Sequence, residues 1–153
     1  MNILLDTNIL IYLARDSKRR LITEFINPNR KELYISVVSI AEVRSVALRQ
    51  HWGSKKLLLI DDIITSASII EVSQLLINTY VEIDTYSQRQ NPNFTEYAFE
   101  TPRNMGKNDL WIAATAGLLG LELITTDADF AHLHNVFLDI RQINPDEFRP
   151  FFN

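Results

Sequence analysis

Acidic side chains recur in this sequence where short apolar runs give way to helical patterns. Asp6 follows the first apolar run, Glu42 lies early in the helix after the second, and Asp109 opens an alanine-rich helix. Asp127 and Asp129 follow a later apolar run. At an effective dielectric constant of 20, two carboxylates about 4 Å apart repel by about 4 kcal/mol. A shared cation relieves that repulsion, so the pattern predicts a metal site if the fold brings these acids together.

The remaining metal-binding residue types narrow the choice of ion. The chain has no cysteine and three histidines. His132 and His134 are two positions apart, which directs them to different faces of a helix, and we assign no metal to them. Carboxylate oxygens favour hard cations. The sequence therefore predicts Mg²⁺, with Mn²⁺ as the alternative, rather than zinc.

Each acid also has a purely structural interpretation. Asp6 and Asp127 are suited to cap helices, and Asp109 suits the first turn of a helix, where the dipole favours a negative charge. Ser39 and Glu42 match the capping-box pattern, in which Glu42 bonds back to the Ser39 amide. Capping alone does not explain why acids from distant parts of the chain would meet at one edge of a sheet.

The elements that must position these acids alternate between strands and helices. Five apolar runs predict strands at residues 2–5, 32–38, 69–72, 122–125 and 136–140. Longer patterns between them predict helices at residues 8–14, 21–26, 39–50, 55–66, 73–90, 109–119 and 127–134. This order predicts an α/β fold with a central parallel sheet of about five strands and helices on both faces. In such a sheet the carboxyl ends of the strands share one edge, where ligands usually bind.

The length and charge distribution of the chain indicate how it is divided into a domain and segments. The 153 residues, with a net charge of -4, predict one domain over residues 1–153. Residues 1–60 carry a net charge of +5 and residues 61–153 a net charge of -9. We distinguish a basic segment (residues 15–20), a long loop at about 91–106 and a C-terminal tail (141–153), whose Phe151 and Phe152 are candidates for an exposed contact. Neither a secretory leader nor an apolar run of membrane-spanning length is present, so we expect a cytoplasmic protein without membrane contact.

Several function classes find no support. The four glycines form neither a phosphate-binding loop nor a dinucleotide fingerprint, and no Gly-x-Ser-x-Gly elbow of a serine hydrolase occurs. A receiver-type signalling domain also gathers acids at the strand edge. It requires paired acids near the first strand and a late lysine, whereas the only lysine after Lys56 is Lys107.

Four segments, taken in order, resemble the motifs of a known family. They are Leu-Leu-Asp-Thr-Asn-Ile-Leu-Ile at residues 4–11, Ser-Val-Val-Ser-Ile-Ala-Glu-Val at 36–43, Asn-Asp-Leu-Trp-Ile-Ala-Ala-Thr-Ala at 108–116 and Leu-Ile-Thr-Thr-Asp-Ala-Asp-Phe at 123–130. Together they are similar to PIN-domain ribonucleases, and within these to the VapC-type toxins of toxin-antitoxin pairs. The resemblance extends from residue 2 to about residue 140.

The resemblance implies a PIN-like domain that hydrolyses RNA phosphodiester bonds with Mg²⁺ or Mn²⁺. By motif match the catalytic acids are Asp6, Glu42, Asp109 and Asp127, with Asp6, Asp109 and Asp127 as the expected metal ligands. Asp129, two residues further on, is an alternative for the fourth place. Glu42 is expected to orient or deprotonate the attacking water. The polar residues expected to support this site are Thr7, Asn8, Asn108 and Thr125.

An all-acid site repels RNA, so cations must hold the substrate. Our candidates are Lys107 and, in the basic segment, Arg15, Lys18, Arg19 and Arg20; a solvated charged face is the alternative for the latter. The resemblance further implies a small antitoxin partner and a homodimer. Two other hypotheses stay open: a catalytically silent PIN-like module that binds RNA or protein, and a housekeeping RNA-processing nuclease without an antitoxin.

Overall fold

A computed structural model describes residues 1–152. Its sheet contains five short strands, all parallel to their neighbours, in the order β3-β2-β1-β4-β5. They are β1 (Ile3–Leu5), β2 (Leu33–Ser36), β3 (Ser68–Ile70), β4 (Glu122–Thr125) and β5 (Asp139–Gln142). The predicted parallel α/β fold is therefore confirmed.

Helices make up most of the connections between the strands. The α-helices are α1 (Thr7–Leu13), α2 (Val37–Arg49), α3 (Ser54–Ser66), α4 (Ile77–Ser87) and α5 (Lys107–Leu119). The segment Leu21–Ile26 forms a π-helix, and short 3-10 helices span Gln74–Leu76, Ala128–Leu133 and Pro145–Phe151. Gly120 ends α5 with a φ of 65°, the left-handed conformation that glycine adopts without a steric penalty.

Both faces of the sheet are covered, as the alternation along β1 shows. Ile3 and Leu5 belong to a hydrophobic cluster that also contains residues of α1, α2 and α3. Leu4, between them, belongs to a second cluster with residues of α4 and α5. Side chains of a strand alternate between its faces, so three consecutive apolar residues serve both layers. All three are buried, which explains why β1 appears in the sequence as a continuous apolar run.

The strand order reverses at the centre of the sheet. β1 pairs with β2 on one side, and the chain then returns from β3 through α4 and α5 to place β4 on the other side of β1. At such a switch point the connections leave β1 and β4 in opposite directions, which opens a crevice beyond their carboxyl ends. Asp6 directly follows β1, and Asp127 lies two residues beyond β4.

Two predicted elements differ most in their bounds from those observed. The last strand runs from Asp139 to Gln142 rather than over residues 136–140, because the amides of Val136 and Phe137 both bond to the carbonyl of Leu133 in a turn. The single helix predicted over residues 73–90 is a 3-10 turn followed by α4, which ends at Ser87.

The loop between α4 and α5, residues 88–106, is packed by its own aromatic side chains. Phe94, Tyr97 and Phe99 surround Tyr86, with ring centroids 4.6, 5.2 and 5.4 Å away. His132 lies beside this cluster, its Nε2 2.7 Å from the hydroxyl of Ser87. Burial, assisted by the charge of Arg103, lowers the pKa of His132 to about 4. The loop is thus an ordered part of the second core.

The C-terminal tail folds back on the first core. Phe152 stacks on Tyr12 with ring centroids 6.1 Å apart, and Phe151 lies 5.8 Å from Phe25. Both phenylalanines are half-buried, so the expectation of an exposed aromatic pair is wrong; Asn153, the last residue of the predicted tail, lies outside the described residues. Within residues 1–152, no helix combines the length and apolarity needed to cross a membrane.

Candidate active site

A cleft of about 770 Å³ opens at the carboxyl ends of β1 and β4. We call it the acidic cleft, because four of the residues lining it are carboxylic acids. Seven residues that the sequence singled out line it: Asp6, Thr7, Asn8, Glu42, Asn108, Asp109 and Asp127. They come from β1 and α1, from α2, from α5 and from the turn after β4, so the topology brings together parts of the chain more than a hundred residues apart.

Asp6 is fixed at the centre of this cleft by two hydrogen bonds. Its Oδ1 accepts from the backbone amide of Thr7 at 2.8 Å, which makes it the N-cap of α1. Its Oδ2 accepts from the hydroxyl of Thr125 at 2.7 Å. Burial raises the pKa of Asp6, the two hydrogen bonds oppose that rise, and the charges of Asp127 and Glu42 add to it. Capping therefore orients this carboxyl group, while burial and the neighbouring acids disfavour its charge.

Thr125 links two of the acids. This fully buried residue at the end of β4 donates to Asp6 and accepts a bond of 3.0 Å from the backbone amide of Asp127. One hydroxyl thus fixes the Asp6 carboxylate and the backbone that carries Asp127 relative to each other.

Glu42 is held by a threonine and takes no part in capping. Its Oε1 accepts from the hydroxyl of Thr7 at 2.7 Å. The cap of α2 is Ser36, whose Oγ accepts from the amide of Val38, so the capping box between Ser39 and Glu42 is absent. The helix begins two residues earlier than the sequence indicated, and Glu42 extends from its second turn toward the cleft.

Asp109 is the most perturbed of the acids. It lies in the first turn of α5, half-buried, and its pKa is raised to about 7. Burial is the largest cause, followed by the charges of Asp6, Asp127 and Glu42, with a smaller contribution from Asp129. The raised pKa of Asp109 thus reflects both its burial and the negative charge of the neighbouring acids.

The acids after β4 complete a group with the spacing of a metal site. Asp127 caps the following 3-10 helix by accepting from the amide of Asp129 at 2.8 Å. Asp109, Asp127 and Asp129 each offer a carboxylate oxygen, and these oxygens lie within 4.8 Å of one another. The donors are all hard oxygen ligands, which fit Mg²⁺ or Mn²⁺.

The basic segment lies apart from this arrangement. Arg19 pairs with Asp62 of α3, and Arg20 pairs with Glu24 at 3.1 Å. Arg15 lies over the ring of Phe152, 4.3 Å from its centroid. Neither these arginines nor Lys18 line the acidic cleft. Their role in binding RNA stays a prediction, and any such contact would lie outside the cleft.

Two other cations do adjoin the acids. Lys107 lines a recess of about 420 Å³ next to the cleft, together with Glu42 and Asp109. Arg49, the last residue of α2, lines the cleft itself, and sequence reasoning missed it. The signal was present in the spacing, because seven residues after Glu42 is the same face of a helix.

Comparison with known proteins agrees with the fold. The family model of the PIN domain matches residues 3–135. A ribonuclease VapC2 from Haemophilus influenzae is 24% identical over 127 residues, which cover 81% of this chain and 85% of the relative.

Solved structures share the fold. VapBC2 from Rickettsia felis, bound to a DNA fragment from its promoter, matches with a TM-score of 0.70 and 20% identity, over 93% of this chain and 98% of the other. VapBC-1 from nontypeable Haemophilus influenzae matches with a TM-score of 0.69 and 23% identity, over the same shares, 93% and 98%. A toxin-antitoxin complex from Klebsiella pneumoniae is 27% identical, with a TM-score of 0.60, over 85% of this chain and 91% of the other.

Proposed function

The chain belongs to the PIN-domain family, and from that premise we propose that it is a metal-dependent endoribonuclease, the toxin of a toxin-antitoxin pair. The observation that carries the proposal is the acidic cleft. Asp6, Glu42, Asp109 and Asp127 line it, and burial, with the neighbouring acidic charges adding to it, raises the pKa of Asp109 to about 7. Such a site is costly for a structural role, whereas a nuclease needs it to hold a divalent cation against a phosphodiester.

Asp109 and Asp127 are the proposed direct ligands, with Asp6 and Asp129 completing the oxygen donors either directly or through water. The close grouping of the Asp109, Asp127 and Asp129 oxygens supports this choice. Mg²⁺ retains much of its water and needs few carboxylates, so a set of this size suits it, and Mn²⁺ has similar preferences. When bound, the cation lowers the pKa of a water and offsets negative charge on the phosphate oxygens.

The protein's own side chains carry the remaining roles in the proposed mechanism. Glu42, oriented by the Thr7 hydroxyl, accepts a proton from the water that attacks phosphorus. The bond from phosphorus to the 3′ oxygen breaks in line with that attack, which leaves a 5′ phosphate and, after protonation by solvent, a 3′ hydroxyl. Thr125 keeps Asp6 and the Asp127 backbone in fixed relative positions throughout the proposed reaction.

The proposed cellular setting follows from the relatives. A ribonuclease VapC2 is similar over most of its length, and the solved neighbours include VapBC complexes. These likenesses support a small antitoxin partner for this chain. A homodimer and a cytoplasmic location stay predictions from the sequence.

Cleavage of RNA by the purified protein tests the activity. We expect cleavage with Mg²⁺ and none with EDTA. Asp109→Asn is expected to lower the rate at least about a hundred-fold, because it removes a ligand and a charge from the site. Asp62→Asn, the same change on an exposed acid of α3, is the matched control and should cleave like the wild type.

Two results would contradict the proposal. One is equal cleavage by Asp109→Asn and the wild type, and the other is cleavage that survives EDTA. A wild-type protein that binds RNA with Mg²⁺ present but never cleaves it would favour the catalytically silent module instead. Thermal melting of Asp109→Asn establishes that the variant is folded.

A further inference from the structure

The wall of the acidic cleft carries one positive charge. Of the described residues that line the cleft, only Arg49 is a cation. It is the last residue of α2 and is exposed to solvent. A cationic residue at the end of a helix interacts favourably with the helix dipole, so a structural role is the simplest alternative explanation.

Three other arginines, Arg19, Arg20 and Arg44, have acidic partners, whereas Arg49 has none among residues 1–152. Arg44, five residues earlier on the same helix, pairs with Asp61 at 2.6 Å. Arg19 and Arg20 are also paired, and Arg49 forms no ion pair with any of residues 1–152. Its guanidinium group therefore keeps its five donors free for an anionic ligand.

The position of Arg49 suits a ligand that also reaches the acids. Glu42, Val46 and Arg49 lie on one face of α2 and all line the cleft. Seven residues of helix rise about 10.5 Å, so the cation is about two turns from Glu42. At that distance it leaves the acids free for a metal but can hold a neighbouring phosphate of the same strand.

Lys107 adjoins the acids from the start of α5. The recess that it lines shares Glu42, Asn108 and Asp109 with the acidic cleft, so the two depressions adjoin each other. Lys107 is the first residue of α5, where the helix dipole disfavours a positive charge. A cation at that end is therefore poorly explained by the stability of the helix.

We propose that Arg49 and Lys107 hold phosphates on either side of the scissile one, so that the RNA strand crosses the acidic group between them. This inference rests on the proposed ribonuclease function and adds the path of the substrate. Arg49 and Lys107 position the strand and take no part in bond breaking. Arg49 holds the strand on the α2 side, and Lys107 holds it on the α5 side.

Salt-dependent kinetics of Arg49→Gln test this path. With a labelled RNA oligonucleotide that the wild type cleaves, we expect KM to rise roughly ten-fold while kcat stays within about two-fold, because a charge-assisted contact to phosphate is lost from both ground and transition states. The slope of log(kcat/KM) against log salt concentration should become shallower by about 0.7, the value for one contact to a single strand.

The control variants separate phosphate binding from general charge effects. Arg44→Gln removes the same charge from the same helix outside the cleft and should leave KM and the salt slope unchanged. Arg49→Lys should restore most of the slope, since it keeps the charge. Lys107→Gln should act in the same direction as Arg49→Gln.

The outcomes distinguish failure of the proposed strand path from failure of the proposed ribonuclease function. If the wild type cleaves RNA and Arg49→Gln matches Arg44→Gln in KM and salt slope, the strand path is wrong and the nuclease stands. A fall in kcat at constant KM would overturn the positioning role. If the wild type neither cleaves nor binds RNA, both proposals fail. A purely structural role would change the melting temperature of Arg49→Gln and leave its salt slope intact.

Discussion

The acidic cleft and the basic segment both concentrate charged side chains, but they differ in how those charges are satisfied. In the basic segment Arg19 and Arg20 have carboxylate partners, and the buried Asp16 accepts from two backbone amides. In the cleft Asp6, Glu42 and Asp127 accept from hydroxyls and amides, and no carboxylate of the cleft is paired with a cation among the described residues.

This difference teaches that unsatisfied charge marks the site better than charge density does. A sequence with ten basic residues among its first 60 draws attention to the run at residues 15–20, yet the fold uses part of that run for ion pairs. The cations that adjoin the acids, Arg49 and Lys107, are isolated in the sequence. Variants matched between the two regions test this contrast.

The largest contrast is expected between two glutamates. Glu42→Gln keeps an acceptor for Thr7 but cannot take a proton, so kcat for RNA cleavage should fall by roughly 10²- to 10⁴-fold. Glu24→Gln removes an exposed ion pair with Arg20 and should leave kcat unchanged. Equal rates for both variants would exclude Glu42 as the base.

Two threonines give the next largest contrast. Thr125→Val leaves the buried Asp6 carboxylate without its hydroxyl donor, which should lower the free energy of unfolding by about 1–3 kcal/mol in urea titrations. Thr23→Val removes an exposed hydroxyl that bonds to the Arg19 carbonyl and should cost less than about 0.5 kcal/mol. Thr125→Ser is the rescue variant. A Thr125→Val protein as stable as Thr23→Val would show that the link between the acids is unimportant.

The dependence of stability on pH provides a third contrast. The pKa of Asp109 is about 7 in the folded chain and near 3.8 when unfolded, so the folded state holds this proton more tightly. The contribution of this proton to the free energy of unfolding is fully present below about pH 4 and is lost as the pH rises from about 4 through 7. In EDTA, the melting temperature of Asp109→Asn should therefore exceed that of the wild type more at pH 8 than at pH 5. A difference in melting temperature that does not change between pH 5 and pH 8 would contradict the raised pKa of Asp109.

The smallest effect is expected from the basic segment. Arg19→Gln removes an exposed ion pair, which contributes about 0–1 kcal/mol and is screened by salt. We expect a melting temperature within about 2 °C of the wild type and a KM within about two-fold. A rise in KM larger than that of Arg49→Gln would instead locate the RNA on the basic segment.

Much of the fold was accessible from the sequence because strong local signals agreed with the global pattern. The sequence predicts β4 with its observed bounds, Glu122 to Thr125. It also predicts that α5 ends at Gly120, as observed. An error arises where a helix cap competes with β propensity. Val37 and Val38, β-branched residues, were predicted as strand but begin α2, because the Ser36 side chain caps the helix at that point.

In the candidate site, too, some features are predictable from the sequence and others are not. Topology predicted from alternating elements was enough to bring Asp6, Glu42, Asp109 and Asp127 to one edge. Capping geometry was predictable for Asp6 and Asp127 from residue type, but the bonds from Thr7 to Glu42 and from Thr125 to Asp6 join residues 35 and 119 positions apart. No local pattern encodes such pairings, nor those of Arg19 with Asp62 and of Arg44 with Asp61.

The central claim is that the carboxylates of the acidic cleft are completed by a divalent cation, and Mn²⁺ binding measured by electron paramagnetic resonance tests it most directly. We expect the wild type to deplete the free Mn²⁺ signal at micromolar to millimolar concentrations, Mg²⁺ to compete, Asp109→Asn to lose the binding and Asp62→Asn to retain it. A free Mn²⁺ signal that the wild type leaves unchanged, or one that Asp109→Asn depletes equally, would contradict the account.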